Sequence, residues 1–155
     1  MLSLNSPEYG TLSEKPTLSK IPKLSIPEKV NWIIELSRRT AKPYYYLLTG
    51  KTLFGNPSDF QKFLRSKYIT EPGEIFRHPV RFLQTNGDCD DQTTFFLSNW
   101  FAERNFHSSP SSVQIIIVKN KKFLHISQIF NGKIFDFLPY RWPAGSTIIY
   151  RKTVN

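Results

Sequence analysis

The chain has 155 residues, of which 39% are hydrophobic and 21% are charged. This is the size and composition of one folded domain, and it excludes a disordered polar chain and a bundle of membrane helices. The longest aliphatic run, Ile115 to Val118, is far shorter than the roughly 20 residues that span a bilayer. The first ten residues lack a basic region followed by an apolar one, so we expect a cytoplasmic protein without a membrane partner.

The net charge is +9, from 21 Lys and Arg residues against 12 Asp and Glu residues. Such an excess can serve a nucleic acid, an acidic partner or an anionic surface. The basic residues come singly or in short groups and form no dense arm. This distribution favours a solvated basic exterior, and nucleic acid is the less favoured partner.

Residues 1 to about 24 are rich in Ser, Pro, Lys and Thr and show no sustained hydrophobic period. They are predicted to form a tail or a strap ahead of a single domain over residues 25–155.

Two helices are predicted in the first half of this domain. The capping-box spacing of Ser25 and Glu28 starts the first, which runs to about Thr40. The same spacing of Ser58 and Gln61 predicts the start of the second.

A third helix is predicted after a break in the chain. Pro79 favours extended or turning structure over residues 74–84 rather than one long helix. Asp88 is the predicted N-cap of the third helix and Asp91 its third residue, with apolar residues at helical spacing down to about Asn105.

Beyond the loop 107–112, the hydrophobic period changes from helical to alternating, which predicts strands. The predicted strands are Val113–Val118, Phe123–Phe130, Lys133–Phe137 and Ile148–Tyr150. Helices followed by antiparallel strands predict an α+β fold with N-terminal helices packed on a C-terminal sheet.

Cys89 is the only cysteine, which excludes an internal disulfide and a multi-cysteine zinc site. Its predicted place is the first turn of the third helix, where unpaired N–H groups favour a thiolate and could hold an oxyanion. The flanking aspartates oppose a thiolate, because nearby negative charge raises the pKa of a thiol. A neighbouring imidazolium would be needed to overcome them.

The predicted hairpin supplies such an imidazole. If Asn131 and Gly132 form a type I′ turn, His125 and Asp136 lie on one face of the sheet as diagonal neighbours, about 7–8 Å apart along the backbone. That is within reach of a side-chain hydrogen bond, as a Cys–His–Asp triad requires. A slip of one residue would place them on opposite faces.

These residues together resemble the transglutaminase-like superfamily. The resemblance rests on the string Gly87–Asp91 ahead of a hydrophobic helix, with His125 and Asp136 on successive strands, and it covers about residues 75–140. It implies a papain-related core in which Cys89 is the nucleophile, His125 the base and Asp136 the group that orients the base.

The same resemblance implies two further features and includes one departure. Arg77 and Pro79 are similar to an Arg and a Pro that precede the cysteine in some members, and Gln84 is a candidate second oxyanion donor by analogy with papain-like enzymes. Animal transglutaminases have an aromatic residue after the cysteine, where Asp90 stands here. This departure disfavours protein cross-linking.

Each candidate also has a plainer interpretation. Cys89 could be a small buried hydrophobe, His125 a structural histidine, and Asp136 an acceptor for a backbone amide. Asp88, Asp90 and Asp91 could bind a divalent cation, although helix capping explains them better.

The remaining histidines and a tyrosine run are assigned structural roles. His78 and His107 lie in predicted loops and are expected at the surface. Tyr44, Tyr45 and Tyr46 could stack on a substrate, but packing within the fold is the commoner fate.

The sequence therefore leads to two hypotheses. The first is a thiol enzyme without a metal or cofactor, which acts on amide bonds of a protein or peptide and favours hydrolysis over cross-linking. The alternative is a catalytically inactive module of the same fold that binds partners through its basic surface.

Overall fold

The computed structural model describes residues 24–70, 77–106 and 111–155, so residues 1–23 of the predicted tail 1–24 and most of the loop 107–112 lie outside the described part. The described residues form five α-helices and one four-stranded antiparallel sheet, which confirms the predicted α+β class. The helices are α1 (Ile26–Arg39), α2 (Tyr45–Thr49), α3 (Pro57–Ser66), α4 (Pro79–Thr85) and α5 (Cys89–Glu103), followed by a 3₁₀ turn at Arg104–Phe106. The strands are β1 (Val113–Lys119), β2 (Leu124–Phe130), β3 (Lys133–Ile134) and β4 (Thr147–Val154).

Helix α1 begins where the sequence predicts. The Ser25 hydroxyl accepts a hydrogen bond from the amide of Glu28, and the Glu28 carboxylate accepts one from the amide of Ser25. The apolar face that includes Val30 and Ile33 is fully buried, and α1 packs against α5. The capping box therefore fixes the start of a helix whose apolar stripe joins the main core.

Helix α3 begins two residues earlier than predicted. Its N-cap is Asn56, not Ser58, and the Asn56 side chain accepts from the amide of Asp59 at 3.0 Å. Pro57 takes the first helical position, where a missing N–H costs nothing, and the cap therefore falls on the residue before the proline.

The prediction of extended or turning chain is wrong for residues 79–84. Helix α4 begins at Pro79, with the imidazole of His78 accepting from the amide of Val80 at 3.1 Å as its N-cap. A proline ends a helix when it lies in the interior but starts one when it occupies the first position, and Pro79 occupies the first position.

Helix α2 was not predicted, and it lies in the run of three tyrosines. Tyr45 is 1% exposed, and its ring stacks on Phe95 at a centroid distance of 6.1 Å. Tyr46 is exposed. The packing interpretation of this run is therefore confirmed for Tyr45.

Helix α5 is the central element of the fold. It is buried on all sides, with 13 of its 15 residues buried, as expected for a helix that other elements surround. The ring of Phe95 lies 6.0 Å from that of Phe60 in α3 and 5.6 Å from that of Phe82 in α4. None of the helices among the described residues is long and apolar enough to cross a membrane.

The sheet has the order β3-β2-β1-β4, and its hairpin has the predicted register. Phe130 pairs with Lys133, and both Asn131 (φ 52°) and Gly132 (φ 81°) have the positive φ of a type I′ turn. The ladder of β3 nevertheless ends at Ile134 rather than Phe137, because the side-chain amide of Gln128 takes the carbonyl of Phe135 at 2.5 Å.

The fourth strand is longer than predicted. It spans Thr147–Val154 rather than Ile148–Tyr150, and it pairs with the whole length of β1 through a register shift after Ile117.

The two faces of β2 have different neighbours. Gln128 and Phe130 face α5, since the hydroxyl of Thr93 donates to the Gln128 side chain at 2.8 Å and Phe130 contacts Phe96. Side chains alternate along a strand, so His125 and Ser127 lie on the opposite face.

Candidate active site

His125 and Asp136 form a buried hydrogen-bonded pair on that opposite face. The Nε2 atom of His125 lies 2.6 Å from Oδ1 of Asp136, which also accepts from the Ser127 hydroxyl at 2.5 Å. The other carboxylate oxygen accepts from the amide of Leu138 at 3.1 Å. Burial raises the pKa of Asp136, but these three donors outweigh it and hold the pKa below its usual value. The predicted approach of the two side chains is confirmed, with Asp136 as a carboxylate.

The partners of the imidazole fix its tautomer and its orientation. A carboxylate only accepts hydrogen bonds, so Nε2 of His125 carries the proton and Nδ1 is the basic nitrogen of the neutral ring. Phe123 stacks on the ring at 5.6 Å, and Trp142 contacts it edge-on at 6.2 Å. The ring is thus held on two sides by aromatic side chains.

Cys89 occupies the first position of α5, as predicted. Asp88 is the N-cap and Asp91 the third residue, and each side chain accepts a hydrogen bond from a backbone amide within the first turn. The amides of this first turn point away from the helix body and can accommodate negative charge.

The thiol of Cys89 lies near β2. The backbone amide of Ile126, in that strand, is close enough to lower the pKa of the thiol. That amide faces the β3 side, because Gln128, two residues further on, accepts there from the amide of Phe135 at 2.9 Å.

Cys89 therefore lies near the backbone of the residue that follows His125 in β2. Among the described residues, no hydrogen bond links the thiol to the imidazole, whose bonded nitrogen is the one that faces Asp136.

The resting thiol is protonated. Burial is the main cause that raises the pKa of Cys89 well above its usual value, and the charges of Asp90 and Asp88 raise it further. The Ile126 amide and Lys29 oppose this rise and do not cancel it. The position at a helix N-terminus is thus insufficient to form a thiolate here.

The three aspartates have protein partners, which supports capping rather than cation binding. Asp91 accepts from the amide of Arg77 at 2.9 Å and from its Nη1 atom at 2.5 Å, and Asp90 lies 3.5 Å from the ammonium of Lys29. Within the described ranges, no cluster of His, Cys, Asp and Glu could hold a metal ion. Arg77, noted in the sequence only through the resemblance, anchors the start of α5.

Tyr68 is a neighbour of the thiol that the sequence analysis missed. Residues 67–69 bridge to Gly87, with hydrogen bonds of 2.8 Å from the Ile69 amide and 3.1 Å to the Lys67 carbonyl. Burial, together with the nearby Tyr140 and Cys89, raises the pKa of Tyr68 to about 12, so its hydroxyl remains a donor at neutral pH. Tyr68 belongs to no motif, and no sequence signal could have identified it.

Two of the other predicted candidates belong to α4 and its cap. Gln84 is exposed on α4, and its side-chain carbonyl accepts from Arg81 one turn earlier at 3.3 Å. His78 caps α4 and is half-buried rather than at the surface, while His107 lies outside the described residues.

Comparison with known proteins gives no relative. No family model matches the chain, and no curated protein or solved structure matches it either. The likeness to transglutaminase-like proteins therefore rests on the residues of this chain alone.

Proposed function

We propose that the protein is a thiol-dependent acyl-transfer enzyme with a papain- or transglutaminase-like core, which acts on amide bonds of a protein or peptide. The observation that carries this proposal is the buried His125–Asp136 pair, together with Cys89 at the first position of α5, near the backbone of Ile126. A histidine held by a carboxylate through one nitrogen has its other nitrogen available as a base, which is the arrangement that activates a nucleophile.

The protonated state of the thiol determines the order of proton transfer. Nδ1 of His125 takes the thiol proton as the sulfur attacks the amide carbonyl, and the imidazolium is stabilised by Asp136. The tetrahedral intermediate then collapses, the C–N bond breaks, and the leaving amine receives the proton from Nδ1. Water attacks the resulting thioester, with His125 accepting its proton, and the acid is released as the thiol is restored.

Two groups could stabilise the oxyanion. The first-turn amides of α5 provide one donor, and the hydroxyl of Tyr68 is our preferred second donor because its backbone is bridged to Gly87. Gln84 is the competing candidate. Tyr68→Phe should lower kcat by about 10²-fold, while Gln84→Ala leaves it within about twofold. The reverse result would restore Gln84 to this role.

The proposal is tested with a quenched fluorescent peptide library and with mass spectrometry of the intact protein. Cys89→Ala and His125→Ala should each lower amide cleavage by at least about 10³-fold, and a trapped acyl group should add its mass to Cys89 only. His78→Asn is the matched histidine control, since asparagine can also cap α4. Undiminished cleavage by Cys89→Ala, on a substrate that the native protein turns over, contradicts the assignment.

A second candidate is a binding module that retains this fold without catalysis. It is favoured by the raised pKa of Cys89 and by the absence, among the described residues, of a hydrogen bond between the thiol and the imidazole. For this candidate, no peptide or amine substrate acylates Cys89, and salt-dependent retention on a polyanion column is expected instead.

A further inference from the structure

A cavity with a volume of about 490 Å³ adjoins the His125–Asp136 pair. Asp136 and Trp142 are part of its wall, and Trp142 contacts the ring of His125. Tyr140 is also part of the wall, and its ring contacts that of Tyr68 at 6.2 Å. The cavity thus adjoins the His125–Asp136 pair and also a ring that contacts Tyr68. Its size suits one or two amino-acid side chains.

Two arginines give this cavity its charge. Arg65 reaches it from the last turn of α3, and Arg141 from the segment that follows Leu138. Neither forms an ion pair with an acidic side chain in the part of the chain that the structure describes. Both are exposed. Their guanidinium groups are therefore available to a ligand.

The acidic member of the wall does not neutralise these arginines. The carboxylate of Asp136 is 9% exposed at the residue level, and its oxygens are bonded to His125, Ser127 and the amide of Leu138. The remaining wall is apolar or aromatic: Ile134, Leu138, Pro139, Tyr140 and Trp142. A ligand with an apolar stem and a carboxylate end fits this combination, because arginine pairs with carboxylates through two parallel hydrogen bonds.

We infer that this cavity is a specificity site for an acidic side chain, Asp or Glu, of a peptide substrate. The inference rests on the proposed function, since it places the acidic residue next to the amide bond that Cys89 attacks. Such a site accounts for the two arginines that line this cavity, Arg65 and Arg141, which a general excess of basic surface residues does not explain.

The test measures binding and is independent of catalysis. The full-length Cys89→Ala protein is titrated into a fluorescein-labelled hexapeptide with two adjacent glutamates, and into the same peptide with glutamines. We expect the Glu peptide to bind about tenfold more tightly than the Gln peptide. The Arg65→Gln/Arg141→Gln double variant should lose this preference.

A control variant separates this site from the general charge of the protein. Arg151→Gln/Lys152→Gln removes the same two charges from exposed positions of β4, at the other edge of the sheet. It should retain the preference for the Glu peptide. Equal loss in both double variants, or absence of a preference in the Cys89→Ala protein, overturns the inference. So does tighter, Arg65- and Arg141-dependent binding of a labelled oligonucleotide, which would identify a phosphate ligand.

The result can be separated from that of the proposed function. If cleavage fails and the Glu preference persists, the cavity is a peptide-binding site without catalysis. If cleavage occurs and the preference is absent, the enzyme remains and the specificity site is wrong.

Discussion

Replacement of Gly87 by alanine should destabilise the start of α5 strongly, and more than the same replacement destabilises the protein at Gly145. A Cβ atom at this position would lie 2.6 Å from the Cβ atom of Asp91 and 2.8 Å from its Cγ atom. Asp91 cannot retreat freely, because its carboxylate is bonded to the amide and the guanidinium of Arg77. The added methyl group therefore disrupts both the capping box and the buried ion pair of Asp91 with Arg77.

The cost can be built from these two interactions. Loss of the N-terminal cap costs about 1 kcal/mol, and the breaking of a buried ion pair costs about 3–5 kcal/mol when one charge is left behind. Since the alanine displaces the pair without removing it, we expect a loss of about 3 kcal/mol in the free energy of unfolding. With a urea slope of about 2 kcal/mol/M, the midpoint should fall by about 1.5 M.

Urea unfolding followed by circular dichroism measures this loss against a matched glycine. Gly145→Ala is the control, because Gly145 has φ +85° and no atom within 4 Å of the added Cβ, so only a backbone cost of about 1 kcal/mol is expected. In an Asp91→Gly background, which removes both clashing carbon atoms, Gly87→Ala should cost at least about 1.5 kcal/mol less than in the native background. Equal costs for Gly87→Ala and Gly145→Ala, or full additivity with Asp91→Gly, would refute the steric reasoning.

Three further predictions concern the ionisable groups. Asp136→Asn should lower kcat/KM by about 10³–10⁴-fold while Ser127→Ala lowers it by less than about tenfold, because the amide favours the wrong tautomer of His125; steady-state rates on a cleaved peptide test this. The pKa of Cys89 is raised well above its usual value, so iodoacetamide should label the folded protein only at more alkaline pH than the urea-unfolded protein. The free energy of unfolding should fall as the pH rises above the pKa of this thiol in the unfolded chain. Rapid labelling of the folded protein at pH 6 would instead show a preformed thiolate. Burial, and to a lesser extent Lys42, lowers the pKa of His78 to about 4. As the pH falls from 7 to 4, the unfolded chain therefore takes up this proton before the folded protein does, and the free energy of unfolding should fall by about 2 kcal/mol, allowing for the partial exposure of the side chain. His78→Asn should flatten this dependence of stability on pH.

The sequence predicted those elements whose determinants are local. The start of α5 depends on Asp88 and Asp91 within one turn, and the hairpin register depends on two residues that adopt positive φ. Both interactions span only a few residues, so they can be read directly from the chain. The approach of His125 to Asp136 followed from that register.

The features that the sequence did not predict depend on contacts between distant segments. Helix α2 is a short turn that Tyr45 anchors on Phe95, about fifty positions away. Helix α4 was misassigned because a proline breaks a helix in its interior but starts one at its first position, where Pro79 lies. The bridge from residue 68 to Gly87 joins two backbones without any side-chain pattern. No spacing rule locates such a contact.

The position of the thiol is the part of the site that required the structure most. Sequence reasoning placed Cys89 at a helix start and His125 on a strand, but it could not say on which side of the strand the helix would dock. In the structure the amide of Ile126 lies near the thiol, while His125 projects from the face of β2 away from α5. The distance between the two side chains is consequently a property of how α5 packs on the sheet.

The ion pairs at the start of α5 are not explained by stability alone. The two residues that follow the cysteine, Asp90 and Asp91, each form an ion pair with a largely buried partner. The partners are Lys29 and Arg77 respectively. Replacement of a buried ion pair by apolar side chains of similar volume is often neutral or stabilising, so stability alone gives little reason for two such pairs at one helix start. An apolar start of α5 would remove the groups that hold its first turn, namely the capping box of Asp88 and Asp91 and the contacts of Asp91 with Arg77.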